Sequence, residues 1–333
     1  MKLLSMPKLI SILAVCTGMM LCSIDVYGQT AQEFYSQGNQ LYNQKKYAEA
    51  VASYIRAIQS QPKTQPKAYL NCARAYSMQK NYAAAVKYYE FYAEVEPSAS
   101  TDKKYKAEYK DAQNRAKNTS FVRDNAQTTV LKQLETQLLE KGPYLNRQGN
   151  GALAYYDVLI RAGYAEPHIY DLQKTLVLGL SAEIESDIQP PNGQPLPNLD
   201  RTGWEFIRNK LEKTHQFADV PPDNASLAAI ESTAQAWESY YKGNYQEAKQ
   251  YFDTACQASP AIPAAYWGRM MLAFQQEDTN SLLSLIDETE KVYQSAGISS
   301  VSNYFLLLRA EAYRAMGDIA KSFEWLDKFQ GAL

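Results

Sequence analysis

Apolar and small residues recur along much of this chain at steps of three and four. They mark helices with one buried stripe, and the strict alternation of a half-buried strand is missing. One spacing occurs three times. It runs Gly38, Tyr47, Ala50, Tyr54, Ala57, Pro62, returns 35 residues later as Ala73, Tyr82, Ala85, Tyr89, Tyr92, Pro97, and returns again as Ala236, Tyr245, Ala248, Phe252, Ala255, Pro260. Within each copy, steps of three and four put the aromatic and alanine positions on one stripe of a helix. The small residue nine positions earlier belongs to the helix before it. Small side chains let two backbones approach closely, aromatic rings fill the space beside them, and each proline closes the second helix. Polar turns separate the helices: Gln44-Lys45-Lys46, Lys80-Asn81 and Lys242-Gly243-Asn244. The Gly-Asn pair suits a helix end in the left-handed conformation.

A helix pair of this size cannot bury its apolar face alone, so self-similarity at this period implies a stack of pairs. The three ladders resemble the tetratricopeptide repeat family. A worn further copy runs from Ala310 and Tyr313 through Gly317-Asp318-Ile319 to Ser322 and Leu326. The resemblance covers 31–97, 229–260 and 304–329, and implies an all-α fold, an α-α superhelix of tetratricopeptide type.

Between the ladders the pattern is less regular. Residues 101–117 are helical by composition, and 128–141 carries an amphipathic period through Leu131, Leu134, Leu138 and Leu139. A degenerate helix follows through Ala152, Tyr156 and Leu159, then an apolar one from about 168 to 184. The clearest break is Gln189 to Pro197, whose four prolines favour an extended loop. Another helix is expected at 203–216. The expected organisation is a signal peptide at 1–28, an N-terminal repeat array at 29–126, degenerate helical repeats at 127–188, a proline-rich loop at 189–202 and a C-terminal array at 203–333.

The first 28 residues have Lys2 and Lys8, an apolar run from Leu9 to Leu21, and the small-residue site Val26-Tyr27-Gly28. That is the pattern of a secretory signal cut near Gly28, and the run is short for a membrane span. A periplasmic or secreted protein is expected, with no membrane span in the mature chain. Cys16 and Cys22 keep a lipid-anchored alternative open, although Val15 and Leu21 precede them where a lipoprotein signal resembling the usual pattern has Gly, Ala or Ser. Without residues 1–28, 32 basic residues face 35 acidic ones, a balance that does not suit nucleic acid. Lys103, Lys104, Lys106, Lys110, Arg115 and Lys117 alternate with Asp102, Glu108 and Asp111, as on a solvated helix face. Cys72 and Cys256 lie in different ladders, which suits two free thiols.

Catalytic signals are missing. There are only two histidines, His168 and His215, neither at metal-ligand spacing from another ligand. Gly149-Asn150-Gly151 lacks the strand and further glycine or lysine of a phosphate loop, and no Gly-x-Ser-x-Gly turn occurs. The expectation is a non-enzyme without metal or cofactor. Such repeats hold a peptide or protein partner on the face lined by their first helices. By resemblance that face presents Tyr35, Asn39 and Tyr42 from one helix and Asn71, Arg74 and Ser77 from the next. An asparagine amide donates and accepts, so Asn39 and Asn71 suit the backbone of an extended peptide. The family's carboxylate-clamping variant wants lysines where this chain has Asp102 and Tyr35, with only Lys106 offering a cation, so that specificity is not carried over.

The resulting expectation is a protein-interaction scaffold of the bacterial cell envelope. Two other classes remain: a lipid-anchored component of an outer-membrane assembly or secretion machine, and a glycan or small-ligand binder using some of the 26 tyrosines. Of the tyrosine pairs, Tyr88-Tyr89, Tyr155-Tyr156 and Tyr240-Tyr241, one ring of each can face a helix interface while its neighbour reaches another surface.

Overall fold

The computed structural model describes residues 30–332, except 118, 147–150, 192, 193, 198, 218, 221–224, 259–261 and 299–301. The expected signal segment and Pro260 lie outside the described residues. Fifteen α-helices and no strand occur among those described. They are α1 (Ala31–Asn43), α2 (Tyr47–Ser60), α3 (Pro66–Met78), α4 (Tyr82–Val95), α5 (Lys103–Ala116), α6 (Asn125–Leu139), α7 (Ala152–Arg161), α8 (Ile169–Asp187), α9 (Arg201–His215), α10 (Ala225–Tyr241), α11 (Tyr245–Cys256), α12 (Pro263–Gln275), α13 (Thr279–Ser295), α14 (Ser302–Ala315) and α15 (Ile319–Gly331). The architecture is all-α and of the helical-repeat kind, in which each helix of a ladder packs on the next: α1 on α2, α2 on α3, α3 on α4, and α10 through α15 in the same way.

Local chemistry starts and stops these helices where the polar turns fall. Thr30 caps α1 reciprocally with Glu33: Glu33 N donates to Thr30 Oγ1 at 3.2 Å, and Thr30 N to Glu33 Oε2 at 2.6 Å. Asn81 accepts from Ala84 N at the start of α4, Asp200 from Gly203 N in α9 and Asp318 from Lys321 N in α15. Pro66 and Pro263 sit in the first turns of α3 and α12, where the missing N–H costs nothing. The turns inside the ladders pass through the left-handed region at equivalent positions: Lys45 has φ 62°, Lys80 63° and Gly243 81°. Only the third copy uses the residue that adopts this conformation without a steric cost.

The chain forms two compact units, one of residues up to Asp124 with Ile160–Ile169, the other of Asn125–Leu159 with Tyr170 onward. In the first, Ala50, Ala57, Ala73 and Ala85 are fully buried and the rings of Tyr54, Tyr69 and Tyr89 fill the space between helices. Gly38 makes a close contact of the same kind. A Cβ there would lie 2.5 Å from Tyr54 Cε1, so the ladder's first small position is set by an aromatic ring pressed on the backbone. The segment 160–169 joins this unit through polar bonds: Gln59 Nε2 donates to the carbonyls of Ile160 and Tyr164, both at 2.9 Å, and Arg123 pairs with Glu166 at 2.5 Å.

In the second unit, Trp204 of α9 stacks on Trp237 of α10 with ring centroids 6.0 Å apart and planes 11° from parallel. Phe252 meets Trp237 edge-on at 5.3 Å, and Trp237 Nε1 donates to Ala264 O at 3.2 Å. Lys210 is buried, with its ammonium 2.7 Å from Asp187 and 3.0 Å from Glu183. Such a charge requires its partners, because an isolated buried ammonium costs several kcal/mol. The proline-rich segment is packed too: Leu196 and Leu199 lie against the core, and the Tyr293 hydroxyl donates to the Pro195 carbonyl.

Candidate functional site

Five of the six residues singled out from the sequence are joined by the helices of the first unit into one polar line. The line begins on α1, where Asn39 Oδ1 accepts from the Tyr54 hydroxyl at 2.9 Å and from Asn71 Nδ2 of α3 at 2.9 Å. Asn71 Nδ2 also donates to the Tyr35 hydroxyl at 3.1 Å, and its Oδ1 accepts from Arg74 Nη1 at 3.1 Å. Arg74 reaches α5, donating through Nε to Glu108 Oε2 at 2.8 Å. The same carboxylate oxygen lies 3.4 Å from the Tyr89 hydroxyl, which is also beside Ser77. Tyr42, the sixth, stands next to the line with its ring edge-on to Tyr47 at 5.3 Å. All six are half-buried. A groove-lining side chain has this exposure: held in place, yet reachable.

Sequence reasoning missed three members of this network. Tyr54 and Tyr89 are ladder residues, read from their spacing as packing between helices, and their rings are buried. Their hydroxyls nevertheless pass through to the first-helix face. Burial, then the neighbouring Tyr35 and Tyr42, pushes the Tyr54 hydroxyl above its usual range, so it stays a neutral donor. Burial and Glu108 act in the same direction on Tyr89. From its sequence neighbours Glu108 reads as part of a solvated charge run. It is instead the counter-ion of Arg74, and the signal that could have found it is the repeat itself, since it follows Arg74 by 34 residues on the next first helix. The other acidic residue weighed there, Asp102, caps α5, accepting from Lys104 N at 2.8 Å and Tyr105 N at 3.1 Å.

The corresponding face of the second unit differs. Trp237, one residue past the small ladder position as Asn39 is, lies 3 % exposed beneath Trp204. Trp267 is buried, Tyr266 donates to Cys256 O at 2.8 Å, and Tyr240 is half-buried beside the more exposed Tyr241.

Among the described residues, no group of three or more His, Cys, Asp or Glu lies close enough to hold a metal ion. Cys72 and Cys256 are both free thiols. Burial pushes Cys256 up to about 12, so it is protonated and a poor nucleophile at neutral pH. No helix among the described residues is long and apolar enough to cross a membrane.

No curated protein matches the sequence. Among solved structures, the chain is similar to PilW, a type IV pilus biogenesis factor, with 13 % identity over 90 % of this chain and 92 % of that one and a TM-score of 0.31. It is also similar to a tetratricopeptide repeat protein from Parabacteroides merdae, with 15 % identity over 91 % and 93 % of the two chains and a TM-score of 0.28. A third is the TPR2AB domain of yeast Sti1, at 16 % identity, 86 % and 98 % coverage and a TM-score of 0.26. Sequence models of the tetratricopeptide repeat match residues 35–99 and 234–262, the stretches that hold the three ladders. The ladder spacing, the stacked helix pairs and these two sequence-model matches agree: residues 35–99 and 234–262 are tetratricopeptide repeats.

Proposed function

We propose that this chain is a non-catalytic scaffold of the bacterial cell envelope that grips an extended segment of a protein partner on the α1, α3 and α5 face of its first unit. Tetratricopeptide repeats are protein-interaction modules. The observation that carries the more specific reading is the half-exposed polar line from Tyr35 and Asn39 through Asn71 and Arg74 to Glu108. It spans three successive first helices with hydrogen-bonding groups, flanked by Tyr42. Aromatic side chains anchor a partner at low entropic cost, and amides pair with its backbone. The signal-like pattern of residues 1–28 supports the envelope location.

Cross-linking in intact cells followed by identification of the captured protein supplies the partner. Its affinity is then compared between the parent and the double variant Asn39→Ala with Asn71→Ala. The variant loses the direct bond from Asn39 and the Asn71 amide that orients it; one lost hydrogen bond contributes roughly 0.5–1.5 kcal/mol, so binding weakens at least about two- to tenfold. An unchanged dissociation constant, in a variant that melts like the parent, places binding elsewhere. Mass spectrometry of the mature amino terminus tests the location separately. A free Gln29 is expected, and an acylated Cys16 or Cys22 overturns it in favour of a lipid-anchored protein.

A further inference from the structure

The polar line has a direction, fixed from its α5 end. A guanidinium can only donate, so Arg74, holding Glu108 through Nε, obliges Asn71 to turn Oδ1 toward Nη1. Asn71 Nδ2 is thereby aimed at α1, where both its protons are spent on the Tyr35 hydroxyl and Asn39 Oδ1. Asn39 in turn receives that bond and the Tyr54 hydroxyl on its single oxygen. Its Nδ2 has no hydrogen-bond partner among the described residues. Tyr35 accepts from Asn71, which leaves its own O–H proton uncommitted. The unspent groups at the α1 end are therefore donors, and a ligand there must bring acceptors.

Charge narrows the class of acceptor. Glu108 lies 2.8 Å from Arg74 with both side chains about three-quarters covered, and 4.0 Å from the exposed Lys104, so the one cation within the line is already neutralised. A carboxylate ligand would have to displace Glu108 to use it. We infer that the line reads the backbone carbonyl oxygens of an uncharged, internal stretch of extended polypeptide, with Asn39 Nδ2 as the reading donor and Glu108 as the residue that excludes acidic and chain-terminal ligands. This rests on the reading above that the α1, α3 and α5 face binds a peptide.

Two substitutions test it. Asn39→Asp keeps an oxygen for Tyr54 and Asn71 and replaces the outward NH2 with a second oxygen. Glu108→Gln frees the charge of Arg74. The full chain is panned against random dodecapeptides displayed internally between folded flanks, and against the same library ending in free carboxylates. Enriched peptides are synthesised with blocked and with free carboxyl ends and titrated against the parent, both variants and Tyr42→Ala. The internal library is expected to yield binders that lose roughly tenfold in affinity to Asn39→Asp and are indifferent to blocking of their carboxyl end. Glu108→Gln is expected to gain about as much for free-carboxylate peptides. Binders that require a free carboxylate in the parent overturn the inference. So do binders that hold Asn39→Asp as well as the parent while losing affinity to Tyr42→Ala, or a Glu108→Gln variant with unchanged preference. In each of these cases the peptide groove itself stands. No binders, or binders insensitive to every variant, overturn the groove reading and this inference with it. Should Asn39→Asp melt below the parent, the Glu108→Gln arm and the blocked-end comparison decide alone.

Discussion

At the same repeat position the two units do opposite things. One residue past the small ladder position, the first unit has Asn39, half-exposed and hydrogen-bonded along a polar line; the second has Trp237, buried under Trp204. The aromatic that backs this position differs to match. Tyr54 sends a hydroxyl to Asn39, whereas Phe252 meets the Trp237 ring edge-on. The scaffold spacing is common to both, so spacing specifies that helices pack and not what their outer face is for. That face stays open or becomes core according to whether another helix covers it, and α9 does so in the second unit.

The largest effect should come from breaking the covered face. Trp237→Ala removes a ring that touches Trp204, Phe252 and Tyr240 and should cost about 3–5 kcal/mol. In hydrogen exchange, α9 to α11 should lose protection while α1 to α4 keep theirs. Equal loss in both units would show that the two faces are not separate. Next is Ala85→Leu, at a fully buried contact of the first unit, expected to cost about 1–3 kcal/mol by overpacking. A melting curve like the parent's would mean the ladder alanines do not mark helix interfaces.

Tyr54→Phe sharpens the comparison, because it gives the first unit the second unit's backing residue. It should cost about 0.5–1.5 kcal/mol in urea unfolding, the net value of the bond to Asn39. No cost would remove Tyr54 from the polar line. The smallest effect is a gain. Lys80→Gly places at φ 63° the residue the third ladder has there, and should stabilise by about 0.5 kcal/mol, the left-handed strain relieved less the added chain entropy. A loss would mean the Lys80 side chain contributes more than its backbone strain costs.

The helices themselves were legible because burial on one stripe leaves a three-and-four period. Ranges expected at 101–117, 128–141 and 203–216 are observed as Lys103–Ala116, Asn125–Leu139 and Arg201–His215. Tyr35, Asn39, Asn71 and Arg74 could be placed on one face through the family resemblance, because first helices repeat. Three things could not be read. A tyrosine's ring and hydroxyl report to different places, so Tyr54 and Tyr89 read as packing alone. Trp204 belongs to no ladder, so nothing in the period shows that α9 covers Trp237. The bonds from Gln59 to Ile160 and Tyr164 span 101 and 105 residues, and contacts at such separation leave no local pattern.

The claim that the first unit's face is the working surface is tested most directly by where a partner touches the chain. A photo-reactive residue is placed at Tyr42, beside the polar line, or at Tyr241, the more exposed tyrosine of α10, and the chain is irradiated in intact cells. Position 42 is predicted to give a discrete cross-linked product that disappears in the Asn39→Ala, Asn71→Ala background, and position 241 is predicted to give none. A product from position 241 alone, or one from position 42 that survives the double substitution undiminished, would contradict it.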